Sequence, residues 1–205
     1  MASSLFEPAS SGNLLLPVLP LRDVCLFPEA SLSVNVSRPA AARSLEIAAR
    51  TGRRLLALAQ KDASAEIPRE LHELGTLAFL SENQADPEGG RRVEMDGQVR
   101  ARVVALMGTD TQVAEVEVLA EGDPGDEWGP AVEALARYLH SHAELREFLQ
   151  QQRRSEQPMS WVNLACQHLP ITSTARQKLL ESDARSRCLK ISRGLDALLR
   201  KEHGA

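Results

Sequence analysis

Histidine and cysteine are the residues with which this sequence could hold a metal or attack a substrate, and it contains five of the first and three of the second. His140 and His142 are the closest histidine pair. On a helix, residues two apart point about 200° away from each other, so this pair is poorly placed to chelate one ion. His72 and His168 have no neighbouring group that would orient them for general base catalysis, and we interpret them as surface histidines.

Cys25, Cys166 and Cys188 are widely spaced and form no CxxC pair, which predicts neither a disulfide framework nor a zinc site. Cys166 and Cys188 fall in apolar helical stripes and Cys25 follows a strand, so we interpret all three as reduced core residues. The sequence also has no phosphate-binding loop, no GxSxG elbow, no HExxH helix and no GxGxxG turn. We therefore predict no catalytic residue, no metal, no cofactor and no enzymatic activity.

Charge and hydropathy restrict the partners. The net charge is −4, which argues against a surface built to neutralise the phosphates of a nucleic acid. No apolar run approaches the roughly 20 residues that span a bilayer. Residues 1–13 contain none of the lysines or arginines that open a signal peptide. We expect a cytoplasmic protein without a membrane partner, and a nucleic-acid partner is disfavoured.

The elements that would position a site begin with LPVLPLRDVCLFPEASLSVNV, residues 16–36, which predict a strand, a turn and a second strand. Pro17 and Pro20 remove backbone donors, so we place the first strand at a sheet edge, where that loss is tolerated. Pro28 makes the turn. The second strand should have one buried and one solvent-exposed face, because three apolar residues alternate with three polar ones: Leu32, Val34 and Val36 with Ser31, Ser33 and Asn35.

More strands follow. Residues 37–52 predict a helix that ends at a glycine, residues 55–60 and 74–83 predict strands, and residues 91–119 predict a meander.

Within the meander, a hairpin closes over Thr109 and Asp110, which places Arg102 opposite Glu117. Gly97 follows an aspartate in an expected turn, so we predict a positive φ there. The residues expected to point inward are Val99, Ala101, Val103, Ala114, Val116 and Val118.

Turn-forming residues at 122–130 end the strand-rich half, and helical spacing begins. Four amphipathic helices are predicted: one from Pro130 to Arg153-Arg154, one from Pro158 to Leu169, a short one over residues 173–181, and a last one capped by Asp183. The fold class is therefore α+β. We divide the chain into a flexible tail over residues 1–13, a β-rich domain over 14–122 and a small helical bundle over 123–205.

Five segments of the strand-rich half occur in a characteristic order: LPVLPLRDVCLFP, LLALAQKDA, LHELGTLAFL, DGQVRARVVAL and VAEVEVL. A sixth, LACQHLPITSTARQKLLESDARSRC, follows in the helical half. In this register they resemble the N-terminal substrate-binding domain of the Lon protease family. The resemblance implies a PUA-like β pseudo-barrel followed by a helical bundle, and a role in engaging unfolded or tagged protein substrates. In that family the domain precedes an ATPase and a Ser-Lys peptidase, and neither has a motif here.

The opening stretch departs from the family pattern. The family usually has Phe-Pro-Gly after the first strand, and then a proline and a bulky apolar residue in the second. Here Glu29, Ser33 and Asn35 stand at those positions. The second strand is therefore more polar on its outer face than the family's strand.

Our leading hypothesis is a stand-alone, non-enzymatic protein-binding module whose partners are unfolded or misfolded protein segments or a full-length Lon protease. The expected peptide-binding residues are Arg22, Phe27, Leu32, Val34 and Trp161, with an extended segment added at the sheet edge. For the apolar strand residues a place in the core is the favoured alternative, and for Trp161 it is packing on the sheet domain. The alternative is RNA binding by a PUA-like barrel, against which the acidic charge and the low aromatic content stand.

Overall fold

The computed structural model describes residues 13–62, 70–87, 89–108, 111–153, 155 and 157–202. Residues 1–12 of the predicted tail and the expected hairpin turn at Thr109 and Asp110 lie outside this set. The chain divides into two compact units, one ending at Ala120 and one beginning at Glu121. The division into domains near residue 122 stays a prediction.

The first unit is a mixed sheet with one helix. Its elements are β1 (Leu14–Leu21), β2 (Ser31–Val36), α1 (Pro39–Arg50), β3 (Arg54–Ala59), β4 (Leu74–Ala85), β5 (Arg91–Met107) and β6 (Val113–Leu119). The strand order is β2-β5-β4-β3-β1-β6, and β5 also pairs with β6. That last pairing closes five strands into a barrel and leaves β2 as an added strand. The predicted α+β class with a β pseudo-barrel is confirmed.

β1 is paired on both sides, so the prediction that its prolines place it at a sheet edge is wrong. Residues 14–17 pair with β6 and residues 18–21 pair with β3. Backbone donors alternate in direction along a strand, and the Val18 N–H donates toward the β6 side. By that alternation, the N–H that Pro20 lacks would point toward β6, at a position beyond the end of the β1–β6 pairing. The N–H that Pro17 lacks would point toward β3, at a position before the β1–β3 pairing begins.

The core of this unit fills the barrel with residues from all five closed strands. Its most buried members are Leu16, Val18, Leu56, Leu58, Leu77, Ala101, Ala114 and Val116. Val99 and Val103 are partly buried against this core. Val118 was expected to point inward but is 44% exposed. Arg102 does lie opposite Glu117, with 3.5 Å between guanidinium and carboxylate.

Residues 22–30, between β1 and β2, form an inserted loop that is held against the barrel. The Glu29 N–H donates to the Gly97 carbonyl at 2.9 Å, and the Gly97 N–H donates to the Ala30 carbonyl at 2.8 Å. The Thr76 hydroxyl donates to the Leu26 carbonyl, and Phe27 is fully buried. Gly97 therefore lies inside β5 as the contact point for this loop. The predicted turn with positive φ at Gly97 is wrong, because no such φ occurs there.

Glu29→Gly is expected to raise the free energy of unfolding by about 0.5–1 kcal/mol. Glu29 has a φ of 66°, in the left-handed region where a residue with a Cβ is destabilised by about 1–2 kcal/mol. Glycine removes this strain, but part of the gain is lost because glycine also increases the conformational entropy of the unfolded chain. Urea unfolding followed by far-UV circular dichroism measures the change. Glu29→Ala removes the carboxylate and keeps the strain, so it should gain nothing; a gain equal to that of glycine would contradict the backbone explanation.

The second unit is helical. A short 3-10 turn, Gly125–Glu127, leads into α2 (Trp128–His140), α3 (Ala143–Gln152), α4 (Pro158–His168), α5 (Ser173–Leu180) and α6 (Ala184–Glu202). The single helix predicted from Pro130 to residue 153 is wrong, because the chain breaks at Ser141. The His142 ring stacks on Tyr138 at 4.1 Å between centroids, and its Nδ1 donates to the Tyr138 carbonyl at 2.8 Å. These contacts stabilise the break.

α6 begins as predicted. Asp183 caps it, since the Ser186 N–H donates to the Asp183 carboxylate at 2.7 Å. The predicted apolar stripe faces inward, with Cys188, Ile191 and Leu195 all buried.

Arg187 is the largest fully buried side chain among the described residues. Its Nη1 donates to the Glu121 carboxylate, and also to the Asn163 side-chain oxygen at 2.5 Å. The remaining donors reach three backbone carbonyls around the end of α5, those of Leu179, Leu180 and Ser182. One guanidinium thus links α4, α5, α6 and the start of the unit.

Candidate functional site

A groove of about 620 Å³ opens beside β2 in the sheet unit. The end of β1 and the start of the inserted loop supply residues 19–22 and Val24. The second half of β2 supplies residues 34–36, and Ser37, Arg38 and Ala41 come from the start of α1. We call this the β2 groove. The groove brings together two segments, residues 19–24 and 34–41, that the rest of the inserted loop and the start of β2 separate in sequence.

β2 gives the groove a backbone edge. Among the described strands, β2 lies at the end of the sheet order and pairs with β5 along its whole length. Leu32 and Val34 are half-buried, whereas Ser33 and Asn35 are exposed. The edge strand of this sheet is therefore β2, not β1 as the prolines suggested. An edge of this kind can accept an extended chain as an additional strand.

Two arginines line the groove. Among the residues that the structure describes, its lining includes Arg22 and Arg38 and no aspartate or glutamate. With the Gln60 amide oriented so that its oxygen faces Arg38, that oxygen accepts from both terminal nitrogens, at 2.8 and 3.2 Å. Burial lowers the pKa of Arg38, and the positive charge of Arg22 lowers it further. Both causes act in the same direction, because burial and a like charge each disfavour the protonated guanidinium of Arg38.

The structure separates the expected peptide-binding residues. Arg22 and Val34 line the β2 groove, and Leu32 lies on the same strand outside that lining. Phe27 is fully buried, because the inserted loop carries it into the core, so this residue fits the core alternative and not a peptide contact. Trp161 is half-buried in α4 of the helical unit, where the Arg153 guanidinium lies 5.7 Å from its ring centroid.

Sequence reasoning missed Arg38 as a site residue. It directly precedes Pro39, the first residue of α1, and an Arg-Pro pair at a helix start carries no recognised functional signal. Its partner Gln60 comes directly after β3, and only the fold brings the two together.

A second, apolar groove of about 350 Å³ lies in the helical unit between α5 and α6. The segment before α5 lines it with Leu169 and Ile171. The helices supply the other lining residues: Ala175, Lys178 and Leu179 from α5, and Lys190, Ile191, Gly194, Leu195 and Leu198 from α6.

The groups considered for catalysis are poorly suited to it. All three cysteines are buried. Burial raises the pKa of Cys166 to about 12 and that of Cys188 to about 11, so both are thiols near neutral pH. In the described part of the chain no three histidine, cysteine or acidic side chains cluster as a metal site would require, and no helix is long and apolar enough to cross a membrane.

Comparison with known proteins identifies the domain. Residues 15–196 match the family model described as the ATP-dependent protease La (LON) substrate-binding domain. Lon protease of Xanthomonas oryzae pv. oryzae is 32% identical over 181 residues, which are 81% of this chain and 21% of that protein. Lon protease 1 of Thermus thermophilus is 31% identical over 181 residues, 83% of this chain and 23% of that protein. The chain thus spans about a fifth of the length of these relatives.

Solved structures agree on the fold. The N-terminal domain of the Mycobacterium avium complex Lon protease superposes with a TM-score of 0.74 at 18% identity, covering 89% of this chain and 98% of that one. The Lon N-terminal domain protein from Xanthomonas campestris superposes with a TM-score of 0.60 at 20% identity, covering 86% of this chain and 95% of that one. The family match and the shared fold lead to one conclusion: the chain belongs to the Lon protease substrate-binding domain family.

Proposed function

We propose that this chain is a non-enzymatic module that binds polypeptides in the cytoplasm, with unfolded or misfolded segments, or a full-length Lon protease, as partners. The observation that carries the proposal is the β2 groove, where the strand at the end of the described sheet borders a concave surface large enough for side chains of a bound segment. Main-chain hydrogen bonds to an edge strand supply affinity that does not depend on sequence. Such binding suits partners that share unfolded backbone rather than a motif.

Within this proposal the expected residues have different roles. Val34 provides an apolar contact and Arg22 a charged one in the lining of the groove, while Leu32 extends the apolar face along β2. Trp161 is a separate contact on the helical unit. The absence of catalysis is supported by the family model, which describes a substrate-binding domain, and by the buried thiols.

Binding of fluorescein-labelled, dephosphorylated β-casein, an unfolded polypeptide, tests the proposal by anisotropy titration. Val34→Asn is expected to weaken binding about tenfold, because it removes an apolar anchor from the groove. Ser33→Asn is the matched control, since it alters an exposed position on the same strand and should leave affinity unchanged. Equal affinities for the wild type and both variants would reject the β2 groove as the site.

A labelled single-stranded RNA in the same titration tests the alternative. RNA affinity that exceeds the casein affinity and falls steeply between low and physiological salt would favour a nucleic-acid-binding protein and overturn the proposal.

A further inference from the structure

We propose that the apolar groove between α5 and α6, which we call the α5–α6 groove, binds an amphipathic helix of a partner protein whose apolar face is flanked by acidic side chains. This surface belongs to the helical unit alone. The inference therefore goes beyond the proposed function, which rests on the β2 groove, and neither depends on the other.

The first argument is the composition of the lining. Apart from two lysines, all of its residues are apolar, and they come from two helices and the segment before them. Leu179 of α5 and Ile191 and Leu195 of α6 are buried, whereas Ile171 and Leu198 are half-buried. A cleft between two helices is the kind of surface into which the side-chain ridge of a third helix packs.

The backbone favours a helix over an extended segment as the occupant. Residues inside α5 and α6 use their N–H and C=O groups within their own helices, so this groove offers no strand edge. An extended chain would place its polar backbone groups against an apolar surface, which is unfavourable. A helix satisfies its backbone internally and presents apolar side chains three and four residues apart.

The second argument is Gly194, which lies inside α6 and lines the groove. Glycine inside a helix is less favourable than alanine, because it loses more conformational entropy on folding. Gly194 is exposed, and a Cβ added there would meet no described atom within 4 Å outside the local helix backbone. Packing within the helical unit therefore does not require glycine here. The missing side chain instead lets the backbone of another helix approach α6 closely, since the distance between packed helices depends on the side chains at their contact.

The third argument is charge complementarity. Lys178 of α5 and Lys190 of α6 contribute to the lining, and among the described residues the lining has no aspartate or glutamate. The Lys190 Nζ donates to the Ser182 hydroxyl at 2.6 Å, a neutral partner that orients the amine and keeps its positive charge. Lysine stems can border an apolar surface while their amines reach solvent. Acidic side chains beside the apolar face of a bound helix would meet these amines at the rim of the groove.

Fluorescein-labelled, alanine-rich helical peptides of about 18 residues test the inference by anisotropy titration against the full chain. The first has leucines along one face and glutamates beside them, and the second has glutamines in place of the glutamates. The third has the composition of the first with its leucines spread around the helix. Far-UV circular dichroism confirms that the free peptides have matched helicity. The first peptide is expected to bind about tenfold more tightly than the third, and about fivefold more tightly than the second at about 0.15 M salt.

Gly194→Leu should weaken binding of the first peptide about tenfold, because the new side chain occupies the groove. The same change should keep or raise the melting temperature, since leucine is the better helix former and position 194 is exposed. A merely structural role for the glycine would not separate binding from stability in this way. Ala136→Leu is the matched control, since it adds the same side chain at an exposed position of α2 outside the lining, and it should leave affinity unchanged.

Lys178→Gln and Lys190→Gln should each reduce the preference for the glutamate peptide over the glutamine peptide, while the glutamine peptide keeps its affinity. Lys201→Gln, at an exposed position near the end of α6 and outside the lining, is the control and should keep the preference. Because Lys190 is bonded to Ser182, a thermal melt checks its variant. The exposed Lys178 gives a second reading if Lys190→Gln fails to fold.

The outcomes distinguish this site from the β2 groove and from self-association. Equal binding of the first and third peptides, or unchanged affinity in Gly194→Leu, would overturn the α5–α6 groove as a helix site. Equal binding of the glutamate and glutamine peptides would overturn the acidic preference. Val34→Asn should leave helix binding unchanged, and a loss in that variant would assign the peptide to the β2 groove instead. A wild-type dimer in light scattering that Gly194→Leu abolishes would assign the α5–α6 groove to a second copy of the chain and overturn the proposed partner.

Discussion

Replacing Arg187 by methionine is expected to lower the free energy of unfolding of the helical unit by about 3–5 kcal/mol. Methionine fills part of the volume but donates no hydrogen bond. The Glu121 carboxylate and the Asn163 side-chain oxygen would each lose a donor inside the protein, as would the carbonyls around the end of α5. Each buried acceptor left unsatisfied costs about 1–3 kcal/mol. Since whole domains are stable by only about 5–15 kcal/mol, this loss would be severe.

Tryptophan fluorescence during urea unfolding measures this effect selectively, because Trp128 and Trp161 are the two tryptophans of the sequence and both lie in the helical unit. Arg187→Lys keeps the charge with fewer donors and should fall between methionine and the wild type. Arg185→Ala is the matched control on the same helix: its side chain is 68% exposed and lies 3.8 Å from Glu127, so the change should stay within about 0.5 kcal/mol. A methionine variant within about 1 kcal/mol of the wild type would show that the network contributes little.

Periodicity predicted the elements whose burial depends on local alternation. Val34 and Val36 mark β2, and of the residues predicted to point inward from the β5–β6 hairpin, Ala101, Ala114 and Val116 are fully buried. Asp183 was recognised as a cap because its carboxylate acts on its own helix. These features follow from neighbours within a few residues, which is the range over which sequence patterns are informative.

The features that failed depend on partners far away in sequence. Arg187 resembles Arg185 in a stretch of alternating cations, and only the positions of Glu121 and Asn163 make one buried and the other solvated. The helix break at Ser141 could not be predicted, because no glycine or proline stands there as a helix-stop signal.

The candidate site was half predictable for the same reason. Arg22 and Val34 were selected from the opening stretch, and they do line one groove. Phe27 was selected with them but is buried, because the loop between β1 and β2 folds inward instead of making a surface turn. Arg38 was not selected, since its orientation depends on Gln60, which follows β3.

Gly97→Ala is expected to lower the free energy of unfolding of the sheet unit by about 2–3 kcal/mol. A Cβ at this position would lie 2.1 Å from the Phe27 carbonyl oxygen and 2.9 Å from its carbonyl carbon, both inside contact distance. The loop cannot retreat at low cost, because Gly97 donates to Ala30 and accepts from Glu29, and Phe27 is fully buried. The expected loss exceeds the roughly 1 kcal/mol that a positive φ would have produced, since the obstacle is backbone rather than conformational preference.

Far-UV circular dichroism of the strand signal during urea unfolding is the appropriate measurement, because neither tryptophan lies in this unit. Gln98→Ala, at the exposed neighbouring position of β5, is the control and should be close to neutral. The inserted loop also carries Arg22 to the β2 groove, so a loop displaced from Gly97 should weaken peptide binding as well as stability. An alanine variant of wild-type stability would mean that the loop shifts freely, and the groove would then not be held in the shape from which its function is proposed.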